Sequence, residues 1–592
     1  MVRAPELVGH GGWIGTDGEL SLRALRGKVV VLNFWTFACA KCIRVIDDLE
    51  ELQSRFPGEV VVIGVHSPKF PFAGEHRAVT RAVVRLDLTH PVLDDPNMVT
   101  WQQYGVRGWP TVVVLDPGGE VVGALSGEGK GPLLHQIVQD LVEKQRRSAG
   151  TWLGSRPSAG TAAPAALPRR VPALYPPPRA GGLAFPTKVA TDRRGRLAIA
   201  DTGHDRVLIV HLQGETTGRV THVVTGLRRP RGVRLYGSDL IICDTGHDRV
   251  VAVDLAQRPG LDEAIEPDPN GIIHLRVLPS ETVAVDLASP WDVIADLDGS
   301  YVVAEAAKHR LWRVPTDGSS PAVIAGDGYE GLVDGHGEVA ELAQPSGLTR
   351  LPNGVAFVDA ESSALRMLNG KGQVGTLVGV GLFDWGRRDG RRGVSRLQHP
   401  EGVVAALDGT SLYVADTFNH QLRWWRDGKL VTVPTEGLLE PSGLDVLPDG
   451  RLVVADSANH RVCFVDPASG RVQPLELLTL ELADPAPIPQ WGSSLRGMSD
   501  QPLAVPFAID LGRFELDGGE GAPVRVQLGC EPSWLLEPGP RIWSHVREQG
   551  GLALVAGSPG SGIITVTVSA RMAAVGISAT RRTITEHRLT IE

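Results

Sequence analysis

The sequence predicts a multidomain chain: an α/β domain, then a six-bladed all-β propeller, then a C-terminal all-β sandwich. Strand and helix signals alternate over residues 1–147. Over 183–473 a strand–turn–strand unit recurs six times, each time behind a proline. Over 474–592 the repeat stops, strand signals continue between turn residues, and no helix signal intervenes. Residues 148–182 are dense in Pro, Ala, Gly and Ser and lack periodicity, which predicts a linker partly extended by its prolines.

In the first region, KVVVLNFW (28–35) is a continuous apolar run rich in β-branched residues, as a strand covered on both faces requires. Residues 42–56 turn helical, with Ile43, Ile46, Leu49, Leu52 and Phe56 at spacings of three or four. VVVIGV (60–65) and TVVVL (111–115) predict further buried strands, and 77–86 and 97–104 predict helices. The turn at Asp116, Pro117, Gly118 and Gly119 predicts a hairpin partner over 120–125, and 133–145 a closing helix. This alternation predicts a mostly parallel central sheet.

Cys39 and Cys42 form a CxxC where the first strand ends and the first helix begins. Unpaired N–H groups and the positive end of the helix dipole at that junction favour a thiolate at Cys39, and Lys41 adds a positive charge. Cys42, one helical turn on, is placed to attack a mixed disulfide on Cys39. Zinc needs a second ligand pair at short spacing, and Cys243, Cys463 and Cys530 stand far apart. Two inert buried thiols are the bland alternative.

The repeat units begin at Phe185, Arg229, Ser289, Gln344, His399 and Glu440, each followed by its proline. A unit this small cannot bury both faces alone, and closing six into a ring removes most free edges. Asp201, Asp244, Glu305, Asp359, Asp416 and Asp456 end the second strands. Five residues later come Arg206, Arg249, Arg310, Ala364, Gln421 and Arg461, which makes the fourth unit the degenerate one. The pattern predicts a turn in which the carboxylate accepts N–H groups and pairs with the arginine. His204, His247, His309, His420 and His460 recur one per blade, as turn or surface residues. Gly-rich inserts from Ala325 and Val378 lead into strands rather than helices, which argues against a nucleotide loop.

A net charge of −9 and a pI near 6.0 exclude a broad phosphate-binding surface, so no nucleic acid is expected. No apolar run nears the ~18 residues of a membrane helix, and the N-terminus lacks a secretory h-region. A cytoplasmic protein with no membrane partner is the expectation. Five cysteines are too few for a disulfide scaffold.

KVVVLNFWTFACAKC (28–42), with Gly108, Trp109, Pro110 and Thr111 before a strand, resembles the thioredoxin fold, closest to its TlpA-like or redoxin branch. That resemblance implies Cys39 as the attacking cysteine, Cys42 as the resolving one and Pro110 as a cis-proline facing them. Ala38, Ala40 and Lys41 depart from the thioredoxin pattern, and Asn33 replaces its buried Asp. The propeller units resemble NHL repeats. The composite, over nearly the whole chain, resembles the NHL repeat-containing protein 2 family, which implies a soluble redox-type domain fused to an interaction platform. Three functions are weighed. The first is a thiol–disulfide oxidoreductase whose propeller presents a protein client or thiol/disulfide substrate. The second is a non-catalytic scaffold with a thioredoxin-like docking domain. The third is a propeller-borne metal-dependent hydrolase or lyase, disfavoured by first strands with scattered polar residues. The first two require no cofactor and no metal.

Overall fold

The computed structural model describes residues 2–150 other than 17, 182–256, and 271–478 other than 278, 285 and 318; beyond 478 it describes only the backbone of nine strands. The first sheet runs in the order β1 (Val2–Arg3), β7 (Glu120–Ser126), β6 (Thr111–Leu115), β3 (Val29–Trp35), β4 (Val60–His66), β5 (Val92–Asp94) and β2 (Gly12–Ile14). Every residue of β3 and β4 is buried. Helices α1 (Ala40–Arg55) and α4 (Gly131–Gly150) cover one face with Val45, Leu49, Leu52, Leu134 and Val138. The other face packs on Leu22, Leu25 and on Trp101 of α3 (Val99–Gln103). Helix α2 (His76–Arg85) joins α1 at one end of the sheet through Val79, Ala82 and Ile46.

The sheet is mixed, which corrects the expectation of a mostly parallel one. β3–β4 and β4–β5 are parallel, whereas β3–β6, β6–β7, β1–β7 and β2–β5 are antiparallel. The cause is local: the turn at 116–119 folds β7 back on β6, and a tight hairpin can only join antiparallel strands. The three-residue β2 and β5 and the two-residue β1 are too short to show a period in the sequence.

From Pro186 to Pro474 six sheets form six blades, each with a four-stranded antiparallel core; Ile273–Arg276 adds to the first sheet, and a two-residue strand adds to the fourth and to the fifth. The blades' first strands include Pro186–Thr191, Pro290–Ala295, Pro345–Leu351 and Pro441–Val446. The ring closes between the last blade and the first: Ser442 Oγ donates to the Thr187 carbonyl (2.7 Å), and Thr191 N–H donates to Asp445 Oδ2 (2.8 Å). The chain leaving the last blade then pairs Glu476–Leu478 in parallel with the outer strand of the first, which covers an open edge. Past 478, Val524–Glu531, Gly560–Ala574 and Ile577–Ile591 pair antiparallel in one sheet, and Pro502–Ala508 pairs with Gln549–Val555 in another. Residues 151–181 of the expected linker lie outside the described residues.

Each blade is latched by the carboxylate that ends its second strand. Asp201, Asp244, Glu305, Asp359, Asp416 and Asp456 accept the N–H of Ala184, Arg228, Ala288, Ala343, Gln398 and Leu439, always two residues before the leading proline. Arg206, Arg249 and Arg461 pair with the same carboxylates as expected. The fourth and fifth blades reach theirs with Arg366 (3.0 Å) and Arg423 (2.8 Å), seven residues on, so the fourth is not degenerate. In the third, Trp312 Nε1 donates to Glu305 instead of Arg310. The recurring histidines lie in the blade turns as expected, with His247 exposed, but Nδ1 of His309, His420 and His460 also accepts the N–H of Gln344, Glu440 and Phe185 in the following blade. His204 and His247 lie beside Asp201 and Asp244.

Candidate active site: a dithiol beneath the propeller

Cys39 is the N-cap of α1, with extended backbone (φ −96°, ψ 113°), and its Sγ accepts the Cys42 N–H at 3.2 Å. Its carbonyl also accepts from Cys42 (3.1 Å) and Ile43 (3.2 Å). The sequence folds this way because the apolar strand ends at Trp35 and a helical stripe starts within a few residues, leaving Cys39 as the half-helical residue between. The two thiols share one cluster with Trp35, Phe37, Ile46 and Phe72, against which Trp109 packs. The Trp109–Pro110 bond is cis, and Trp109 Nε1 donates to the Ser67 carbonyl at 2.9 Å. Cys42 is fully buried. Burial pushes its thiol well above the ordinary range, and the hydrogen bond and charge of Cys39 push it further. Cys42 is therefore held as a thiol.

The propeller roofs this site. Cys39 is only 7% exposed. The side-chain amide of Gln344 spans the start of the motif: Nε2 donates to the Ala38 carbonyl (3.0 Å) and Oε1 accepts the Ala40 N–H (2.8 Å). That N–H is one a helix start leaves unpaired, so a residue from the fourth blade completes the cap. Phe418 of the fifth blade enters the dithiol cluster, with ring centroids 5.6 Å from Phe37 and 5.0 Å from Phe72. Phe70 lies against His399 (5.2 Å) and Trp385 (5.3 Å).

Ion pairs ring the apolar contact. Lys69 reaches Glu330 (2.6 Å) and Glu361 (2.7 Å). Burial works against the Lys69 ammonium, but these carboxylates hold it above its ordinary range. Burial, with repulsion from Glu330, pushes Glu361 up to about 7. Arg81 and Arg85 share Glu440 at 3.0 and 2.9 Å. Arg228 meets Asp47 at 2.8 Å, Arg229 meets it as well, and Arg44 pairs with Asp248. Burial depresses the interface histidines His66, His309 and His399 to about 3, so they are neutral.

Much of the docking surface comes from one repeated position. Phe185, Arg229, Ser289, Gln344, His399 and Glu440 each precede the leading proline of a blade, and each has positive φ, between 45° and 64°. The left-handed backbone lets all six occupy equivalent places on one rim. Arg229, Gln344, His399 and Glu440 make the contacts above, and Phe185 lies 6.0 Å from the Arg85 guanidinium. The sequence displayed these residues as the first letter of every repeat; missing was that a second domain sits on them.

The central channel also differs from expectation, because the scattered polar residues of the first strands converge there. Lys188, buried and donating to the Ser346 (2.8 Å) and Glu401 carbonyls, stands 3.7 Å from Asp292. Arg234 holds the same Asp292 at 3.2 Å. Among the described residues, no three His, Cys, Asp or Glu side chains are grouped to hold a metal. The channel carboxylate already has two cationic partners, so its residues do not fit a metal centre. No described helix is long and apolar enough to cross a membrane.

Comparison with known proteins agrees with this architecture. The AhpC/TSA family pattern matches residues 3–124, and the NHL repeat pattern matches residues 438–463. Thiol-disulfide oxidoreductase ResA of Halalkalibacterium halodurans is 29% identical over 131 residues, covering 22% of this chain and 68% of that protein. Protein SUPPRESSOR OF QUENCHING 1, chloroplastic, of Arabidopsis thaliana is 30% identical over 544 residues, 83% of this chain but 49% of the plant protein. The chain thus spans about half the length of that relative. Human NHL repeat-containing protein 2 is 30% identical over 535 residues, covering 80% of this chain and 71% of the human one. A thioredoxin-like domain carrying a six-bladed NHL propeller, shared at that identity over most of both proteins, places this chain in the NHL repeat-containing protein 2 family.

Proposed function

We propose that the chain performs thiol–disulfide exchange at Cys39 and Cys42, with the propeller governing access to the pair. The observation that carries this reading is the position of Cys39 as N-cap, its sulfur already accepting the Cys42 N–H at 3.2 Å. There the Cys39 sulfur lies beside Cys42, the group placed to resolve a mixed disulfide formed on it. The Cys39 thiolate attacks a substrate disulfide, forming one S–S bond and expelling a substrate thiolate. Cys42 then attacks Cys39 Sγ; its proton goes to the second substrate sulfur as that bond breaks. The substrate gains two electrons and the protein retains a Cys39–Cys42 disulfide. Because the rim that would face a protein client is filled by the thioredoxin-like domain, a folded client reaches Cys39 only when the domains part. The proposed compartment is the cytosol.

A second reading, a scaffold without turnover, draws on the same burial: at 7% exposure, Cys39 is close to inert while Gln344 is in place. Trapping separates the two. In Cys42→Ser, exchange strands the substrate on Cys39 as an adduct released by dithiothreitol and missing from the Cys39→Ser, Cys42→Ser double variant. A double variant that retains every property of the parent, with no adduct in the single variant, establishes the scaffold.

A further inference from the structure

Five of the six rim positions carry side chains large enough to engage the thioredoxin-like domain; the sixth is Ser289. Beside it lies a cavity of about 250 Å³ between α1 and the channel mouth. Its walls include Ile43, Arg85, Arg229, Arg231, Ser289 and Trp291. At ~30 Å³ per water this is room for about eight waters, or a ligand of similar size.

The walls carry Asp47, Asp48, Glu128 and Asp248 beside Arg44, Arg85, Arg229 and Arg231, and most of these charges are paired. Asp47 is held by Arg228 and Arg229, Asp248 by Arg44, and Glu128 by Arg44 and Lys308. Arg231 is different. Its side chain is nine-tenths buried and makes no hydrogen bond among the described residues; its guanidinium lies 3.8 Å from the Trp291 ring centroid. Its one ionic contact is Glu401 at 3.5 Å, beyond good hydrogen-bond length. Across the cavity, Arg81 and Arg85 share the single carboxylate of Glu440, and Arg85 Nε is buried without a partner. Burial, opposed by Glu401 and aided by Arg85 and Arg229, depresses Arg231 to about 10. A stacked, buried guanidinium with its donor edge unfilled is built to receive a planar acceptor pair, and a carboxylate supplies one.

We infer that this cavity binds a small organic carboxylate, its carboxyl on Arg231 within reach of Arg85 and its apolar body against Ile43 and Trp291. The pairing of guanidinium with indole and aliphatic wall favours an organic acid over a bare inorganic anion. The site is separate from the thiols, and its test does not depend on exchange chemistry.

Isothermal titration calorimetry of the full chain, with succinate and inorganic phosphate as probes, tests this. Succinate is expected to bind with a Kd below about 1 mM, weakened at least about tenfold in Arg231→Met. Ser289→Gln provides an independent route, because Gln344 has the equivalent backbone; the longer side chain fills the cavity and removes binding while Arg231 stays. Succinate that gives no saturable heat, or binds both variants as it binds the parent, overturns the inference. Phosphate binding more tightly than succinate, and lost in the same variants, overturns the carboxylate assignment in favour of an inorganic anion.

Discussion

Gln344, the residue before the strand Pro345–Leu351 and more than 300 residues away, completes the dithiol site through bonds of 3.0 and 2.8 Å to the residues flanking Cys39. The cysteines themselves were legible in the sequence because strand end, helix start and CxxC are all local. Gln344, Phe418 and Glu440 were not, since nothing local distinguishes a glutamine before a proline from a solvated one. The histidines show what the contact implies for pH. His66, His309 and His399 are neutral and buried, near 3 instead of 6.5. An unfolded histidine binds a proton below about 6.5, so each one's contribution is full above that pH and is lost as pH falls toward 3. Glu361, raised from 4.5 to about 7, has the opposite sign: it favours folding as pH falls from 7 toward 4.5. Three histidines outweigh one carboxylate. Calorimetric melting should therefore show Tm falling between pH 6.5 and 5, and His399→Phe should make that fall shallower.

At the scale of the element, the six latches explain why each blade holds its turn despite drift in sequence. What is preserved is a carboxylate, the N–H two residues before the proline, and a donor found five or seven residues on. The expectation of a donor at five alone made the fourth blade look degenerate; reading the pattern as chemistry recovers it, because Arg366 and Arg423 point along the strand to the same place. The strength of a latch should follow the burial of its arginine. Arg423 is fully buried beside Asp416, whereas Arg461 beside Asp456 is 33% exposed. Asp416→Ala leaves the buried Arg423 with Asp389 as its remaining carboxylate and strands the Gln398 N–H, and should lower stability by about 3 kcal/mol. Asp456→Ala, with water able to reach Arg461, should lower it by less. Urea unfolding monitored by circular dichroism ranks the two.

Across the whole molecule, two domains legible separately become one site through their contact. Alternation and repeat foretold each domain. Nothing in either announced that the rim of one would close on the thiols of the other, because the contacts join residues hundreds of positions apart. The central claim is that the propeller seals the dithiol, so that reaction at Cys39 requires the interface to open. The direct test is the rate of Cys39 alkylation in the reduced, native full chain, mapped by mass and compared with the urea-unfolded chain. An opening free energy of about 2.7 kcal/mol or more corresponds to slowing by at least about 100-fold. Gln344→Ala, which removes both clamping bonds, should recover part of that rate, and a bulky maleimide should be slowed more than iodoacetamide. Native Cys39 reacting as fast as unfolded Cys39, with Gln344→Ala unchanged, would contradict the seal.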